Sequence, residues 1–176
     1  QLYELAALVS SPGAARQPVH SDTPIVAAKG TDEGATILTA FCALQEIDAT
    51  MGPTLFLPAT HNAESHAAFF TYDNFDLAFT ASDEDEDAEV DGEQEARMAA
   101  LLDSWSTWRA ELSTGDVSLF DSRCLHAGDA NNSQRRRILF YFSFIKAKHA
   151  TTCDGTLLES LRGKHRLVDW RHWTLM

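Results

Sequence analysis

His20-Ser21-Asp22 sets an imidazole and a carboxylate two residues apart. In extended backbone, residues i and i+2 share a face, so both side chains address one point while Ser21 turns away. The pair offers two ligands to a metal, although His-x-Asp alone is common and usually marks nothing more than a surface pair. His126 changes that balance. It closes a segment that starts at Gly115-Asp116 and reads as a strand, and Arg137 follows eleven positions later. Two imidazoles and one carboxylate on one face of an octahedral ion leave three positions open, the arrangement of non-haem Fe(II) oxygenases. Such a site accepts a bidentate 2-oxo acid together with O2. The far carboxylate of 2-oxoglutarate then needs a planar, permanently charged fork, which Arg provides and Lys does not. Arg135 and Arg136 compete for that task, with Arg136 pointing opposite to Arg137 in a strand.

The other histidines, His61, His66, His149, His165 and His172, have no spacing that meets this group and read as surface or structural residues. Cys42, Cys124 and Cys153 are widely separated and form no CxxC pair, so they point to a reducing, intracellular compartment, the cytoplasm being favoured. Cys42 reads as packing, and Cys124 draws notice only because it stands two residues before His126.

The elements that must position these groups are mostly strands. Leu5 to Val9 suits a strand closed by Ser10-Ser11-Pro12-Gly13; a second spans about Ala35 to Ile47, and Thr54 to Pro58 a third. Three strands with no helical pattern between them argue for antiparallel β structure. Val117 to Leu125 and Arg137 to Ile145 add two more. Alternation in the last puts Arg137, Leu139, Tyr141 and Ser143 on one face and Ile138, Phe140, Phe142 and Phe144, read as core, on the other. Met98, Leu101, Leu102, Trp105, Trp108 and Leu112 recur every three or four residues, predicting one amphipathic helix against the sheet. Short elements near Leu157 to Leu161 and a tail from Trp170 to Trp173 are expected to cover the sheet edge.

At 176 residues and 44% hydrophobic composition, the chain suits a single domain covering residues 1–176. It starts at Gln1 on what reads as a strand, which suggests a missing upstream segment and leaves any targeting signal out of view. No apolar run approaches the roughly 18 residues that span a bilayer. The net charge is −12, but nine carboxylates fall within residues 83–95, leaving about −3 elsewhere. Residues 83–95 therefore read as a solvated, flexible acidic loop whose charges repel, and nothing favours nucleic acid as a partner.

On these residues the sequence resembles the phytanoyl-CoA dioxygenase family. The likeness rests on Gln17-Pro18-Val19-His20-Ser21-Asp22, on Ala40 to His61 ending in Gly52-Pro53-Thr54-Leu55-Phe56-Leu57-Pro58-Ala59-Thr60-His61, and on Gly115-Asp116-Val117 through His126 to Asn131, Ser133 and Arg137. It implies a mainly β, double-stranded β-helix (jelly-roll, cupin-like) fold with a packing helix. It further implies His20, Asp22 and His126 as ligands of Fe(II), Arg137 as the anchor of 2-oxoglutarate, and Phe41 as an aromatic lining the cosubstrate pocket. His61 matches a family turn in which the residue is structural. One departure stands out: where some members carry a small hydroxyl residue two positions after the second His, this chain has Gly128. Halogenating relatives replace the acidic ligand by a small residue, so Asp22 points to hydroxylation of a small organic substrate. Two alternatives compete: a non-catalytic scaffold of the same fold, which has no need of all four side chains, and a Zn-dependent hydrolase, which has no use for Arg137. Substrate identity and oligomeric state are not legible.

Overall fold

The computed structural model describes residues 1–23, 25, 36–70, 92–146 and 157–166, with backbone alone at 92–95, 97 and 98. Seven strands appear among them: β1 (Leu2–Ser10), β2 (Ile37–Ala43), β3 (Thr54–Phe56), β4 (Trp108–Arg109), β5 (Val117–Asp121), β6 (His126–Gly128) and β7 (Arg137–Ile145). They form a four-stranded sheet in the order β1-β7-β2-β5 and a three-stranded sheet in the order β4-β3-β6. All pairings are antiparallel, with Ser10 opposite Arg137, Phe41 opposite Tyr141 and Thr39 opposite Ser143. Neighbours in the first sheet are distant in sequence, so pairing, not local turns, sets its order.

Between the sheets, Phe41, Ala43 and Leu139 from the first and Phe56 from the second bury themselves with Ile47, Met51 and Ala110. Behind the second sheet, Leu55, Leu57, Leu125 and Ala127 pack with Val19, Phe69 and Leu102. β3 is thus covered on both faces, which is why Thr54-Leu55-Phe56-Leu57 reads as an unbroken apolar run and not as an alternation. On the outer face of the larger sheet, Phe140, Phe142 and Phe144 form a ladder of ring contacts. Leu2 and Leu157 cap it over Phe144. Fully burying each such ring contributes about 1.5–3 kcal/mol.

Three expectations need correction. The predicted helix runs only over α2 (Gly92–Ser104), and Trp108 and Leu112 are not part of it. Trp108–Arg109 pairs with Leu55 and Phe56, and Leu112 bridges Ile47, so backbone pairing with the second sheet overrides the three-and-four spacing. Ser104 marks the stop, its hydroxyl donating to the Leu101 carbonyl at 2.6 Å. The strand expected over Val117–Leu125 stops at Asp121. Arg123 doubles back to clasp Asp121 at 2.9 and 2.7 Å, and the chain crosses from one sheet to the other there. Last, the end of the acidic run is helical, since residues 92–95 open α2; residues 83–91 lie outside the described residues. So do Cys153, His149, His172 and the tail from Trp170 to Trp173.

A short helix that the sequence reading missed, α1 (Ala63–Phe69), is capped by Asn62, whose side chain accepts from the Ser65 N–H at 2.9 Å. Asn62 followed by Ala63-Glu64-Ser65 was the available signal. The helix buries Phe69 against Trp105 with centroids 5.5 Å apart and positions His66, whose Nε2 donates to the Arg123 carbonyl at 2.8 Å. His66 is therefore structural.

Candidate metal centre

His20 and His126 exchange both backbone hydrogen bonds, His20 N–H to the His126 carbonyl at 2.9 Å and the reverse at 2.8 Å. Directly opposed residues in an antiparallel bridge present side chains to the same side, and the two imidazole centroids lie 4.6 Å apart. Asp22 arrives differently from the expected strand alternation: only His20 is in a bridge, and the chain bends at Asp22. The bend is held by the Thr23 N–H donating to the Ser122 carbonyl at 3.1 Å and by the two hydroxyls at 2.7 Å. The Asp22 carboxylate then stands 3.7 Å from His20 Nε2 and 3.5 Å from His126 Nε2. The ligand atoms of all three residues lie within 4.8 Å of one another.

The donor set fits a metal in its chemistry as well as its spacing. His20 Nδ1 stands 2.8 Å from the Pro18 carbonyl and His126 Nδ1 stands 2.9 Å from the Cys124 carbonyl. A carbonyl only accepts, so each Nδ1 carries the proton and each Nε2 offers a lone pair toward Asp22. Outer partners that fix the tautomer in this way are typical of metal-ligating histidines. Ligands about 2.1 Å from a shared ion at right angles sit about 3 Å apart, so the two His–Asp spacings of 3.7 and 3.5 Å need close only slightly around one. Burial, followed by the neighbouring His126, pushes the His20 imidazole below its ordinary value, with the Pro18 carbonyl and Asp22 opposing, so the neutral, ligating form is favoured.

Phe41, Phe56 and Phe120 surround the buried His126 with centroids 6.3, 5.9 and 5.1 Å from its ring. Phe41 therefore faces the metal group from the inner side of β2. His20 and Asp22 remain 40% and 37% exposed, which leaves one side of the group open. Cys124 turns away from it. Its thiol donates to the Leu57 carbonyl at 3.3 Å, burial pushes its pKa up, and its contribution to the centre is its carbonyl.

Arg137 is 7% exposed at the start of β7, while Arg135 and Arg136 point into solvent. One terminal nitrogen, Nη1, donates to the Gly52 carbonyl, whereas Nε is buried with no partner among the described residues. Burial pushes its pKa down, opposed by nearby Asp129, yet an arginine stays charged. A buried guanidinium with unspent N–H capacity is a site for an anion. The Gly52 turn packs directly against the Asp129–Ala130 backbone. At φ 69° it is left-handed, and a Cβ there would meet the Asp129 carbonyl oxygen at 2.2 Å.

Sequence reasoning missed the group that braces this corner. Asp129 is 8% exposed and takes Arg16 Nε at 2.8 Å and Arg109 Nη1 at 2.7 Å. Arg16 enters the His20 segment and Arg109 sits on β4, so one carboxylate ties both to the strand carrying His126. Nothing in the spacing announces it. Asn131, fully buried, likewise spends its amide on the Ser10 and Arg135 carbonyls and delivers the chain into β7.

The model of the family described as phytanoyl-CoA dioxygenase (PhyH) matches residues 1–139. The chain belongs to that family. Its fold is the double-stranded β-helix of the family's oxygenases, shared with AviO1 from Streptomyces viridochromogenes Tue57 at 19% identity and a TM-score of 0.53, over 84% of this chain and 51% of that one. EvdMO1 shows the same likeness at 18% identity and a TM-score of 0.53, over 84% of this chain and 27% of that one. SnoN, the epimerase solved in complex with Fe3+, alpha ketoglutarate and nogalamycin RO, is similar at 18% identity with a TM-score of 0.51, over 92% of this chain and 59% of that one. The chain thus spans about half the length of AviO1. No curated protein matches it. No helix among the described residues is long and apolar enough to cross a membrane.

Proposed function

We propose that this chain carries the catalytic core of an Fe(II)- and 2-oxoglutarate-dependent oxygenase that hydroxylates a small organic molecule. The observation that carries the reading is the pairing of two imidazoles locked with Nε2 toward one carboxylate with a buried guanidinium that has donors to spare. His20, Asp22 and His126 hold Fe(II), and Arg137 takes the far carboxylate of 2-oxoglutarate. Family membership and the iron and alpha ketoglutarate of SnoN support the same cofactor set. Bound there, the iron, cosubstrate and O2 supply the two-electron oxidation that turns C–H into C–OH.

The chain's own share is placement and exclusion. Pro18 and Cys124 carbonyls hold the ligand tautomers, and Asp22 lowers the positive charge of the ion. Phe41, Phe56 and Phe120 keep water from the His126 side, so oxidation is confined to the open side by His20 and Asp22, where the substrate enters. Arg137 fixes one end of the cosubstrate and thereby its orientation at the metal. SnoN is an epimerase, so this fold also serves other outcomes; the Asp22 carboxylate argues against halogenation, and hydroxylation is the outcome proposed here. The free thiols of Cys42 and Cys124 suit a reducing, intracellular compartment.

The protein purified without O2 and loaded with Fe(II) should develop a weak visible charge-transfer band on addition of 2-oxoglutarate, and in air should form succinate slowly without substrate. Absence of both from protein shown to contain stoichiometric Fe(II) overturns the oxygenase reading in favour of a scaffold.

A further inference from the structure

We infer that Gln17 is the second partner of the 2-oxoglutarate far carboxylate, supplying from the loop before His20 the hydrogen bond that Gly128 has no side chain to make. The inference rests on Arg137 anchoring that carboxylate. Arg137 leaves part of it unserved. One Nη1 N–H goes to the Gly52 carbonyl, and the planar edge of Nε and Nη2 can meet a carboxylate with two parallel hydrogen bonds, while a carboxylate offers about four acceptor positions.

The space beside Arg137 where a side chain at position 128 would stand is taken. A Cβ on Gly128 would lie 2.7 Å from Gln17 Oε1, 3.3 Å from Gln17 Cδ and 3.3 Å from Arg137 Nη2. The first and last of these place the Gln17 carboxamide oxygen no more than about 6 Å from the guanidinium nitrogen, within the reach of one carboxylate. The carboxamide is oriented as well as near. The Gly128 N–H donates to Oε1 at 2.9 Å, and the Gln17 N–H donates to the Gly128 carbonyl at 2.8 Å. A backbone N–H requires an acceptor, which assigns the oxygen and leaves the two N–H donors of Nε2 on the other branch of the amide. No hydrogen bond from Nε2 is found among the described residues.

Gln17 is also held in place. Arg16 before it is clamped by Asp129 at 2.8 Å, and Pro18 after it restricts its backbone to extended conformations. An exposed glutamine braced on both sides has its donors preorganised, and the glycine at 128 is the residue that leaves it room.

The test is a set of dissociation constants, measured anaerobically on the Fe(II) protein from the visible band and by calorimetry on the Mn(II) protein. Two acids are compared: 2-oxoglutarate, and 2-oxobutyrate, which lacks the far carboxylate. Gln17→Ala should weaken 2-oxoglutarate about tenfold, the worth of one hydrogen bond to a charged group, and leave 2-oxobutyrate unchanged. Gln17→Glu keeps the acceptor for the Gly128 N–H, and with it the loop, yet turns the donor into a repelling carboxylate; the loss should be at least as large. Gln17→Ala with Gly128→Ser should recover most of the affinity, because the serine hydroxyl enters the vacated space, while Gly128→Ser alone should not. Equal weakening of both acids by Gln17→Ala reduces Gln17 to a loop anchor and overturns the inference. So does unchanged 2-oxoglutarate binding in both Gln17 variants when Arg137→Ala loses it. Unchanged binding in Arg137→Ala is a different failure, that of the anchor itself.

Discussion

Replacing Arg137 by alanine separates cosubstrate binding from metal binding. Arg137 is 7% exposed, and its Nη1 donation to Gly52 is the one internal hydrogen bond it makes among the described residues. The substitution leaves that carbonyl without its charged donor, costing about 1–3 kcal/mol of folding stability. Asp129 does not add to the cost, because Arg16 and Arg109 still hold it at 2.8 and 2.7 Å. Binding suffers more. A carboxylate in that corner loses two charge-assisted hydrogen bonds and a buried counter-charge, about 3–5 kcal/mol. At 1.36 kcal/mol per decade this is roughly two to four orders of magnitude in Kd for 2-oxoglutarate. Iron affinity should not move, since Arg137 touches none of His20, Asp22 and His126. Arg137→Lys should restore most of the stability but little of the affinity, an ammonium being a point charge without the fork. The assay is an anaerobic titration of 2-oxoglutarate into Fe(II) protein, with iron content and thermal midpoint measured on the same samples. A Kd within about threefold of the parent, in protein with full iron content, refutes the assignment of Arg137.

Two further outcomes follow from the geometry. Gly52→Ala must place a Cβ 2.2 Å from the Asp129 carbonyl oxygen at φ 69°; strain in the left-handed region alone costs about 1–2 kcal/mol. With the backbone overlap the loss should reach about 3 kcal/mol, or about 6–12 °C in Tm by scanning calorimetry, and a Tm within about 2 °C of the parent contradicts it. The metal-free protein should gain stability as pH rises to the ordinary histidine value of 6.5, because burial and His126 hold the folded His20 pKa below it. Between those two values the unfolded chain binds more protons, so unfolding becomes harder with rising pH. Urea unfolding at about pH 5.5 and about pH 7 should give a smaller difference in His20→Asn than in the parent, and equal differences would remove His20 from the account.

Local patterns in the amino-acid sequence were enough to mark β1, β2, β3 and β7, the alternation that turns Arg137 and Leu139 inward on β7, and the three side chains, His20, Asp22 and His126, that lie together in the structure. Period and turn chemistry carry that information because they act over a few residues. They were silent wherever a distant backbone made the decision. Trp108 follows a helical spacing yet pairs with Phe56, since β3 offered its free edge. Asp22 reaches the histidines through a bend pinned by Ser122, not through strand alternation. The clamp of Asp129 on Arg16 and the filling of the Gly128 space by Gln17 join residues more than a hundred positions apart, and Arg109 reaches Asp129 from a strand of its own. Such contacts leave no periodic trace, because hydrogen bonds and close packing are satisfied by whichever groups the completed fold brings within reach.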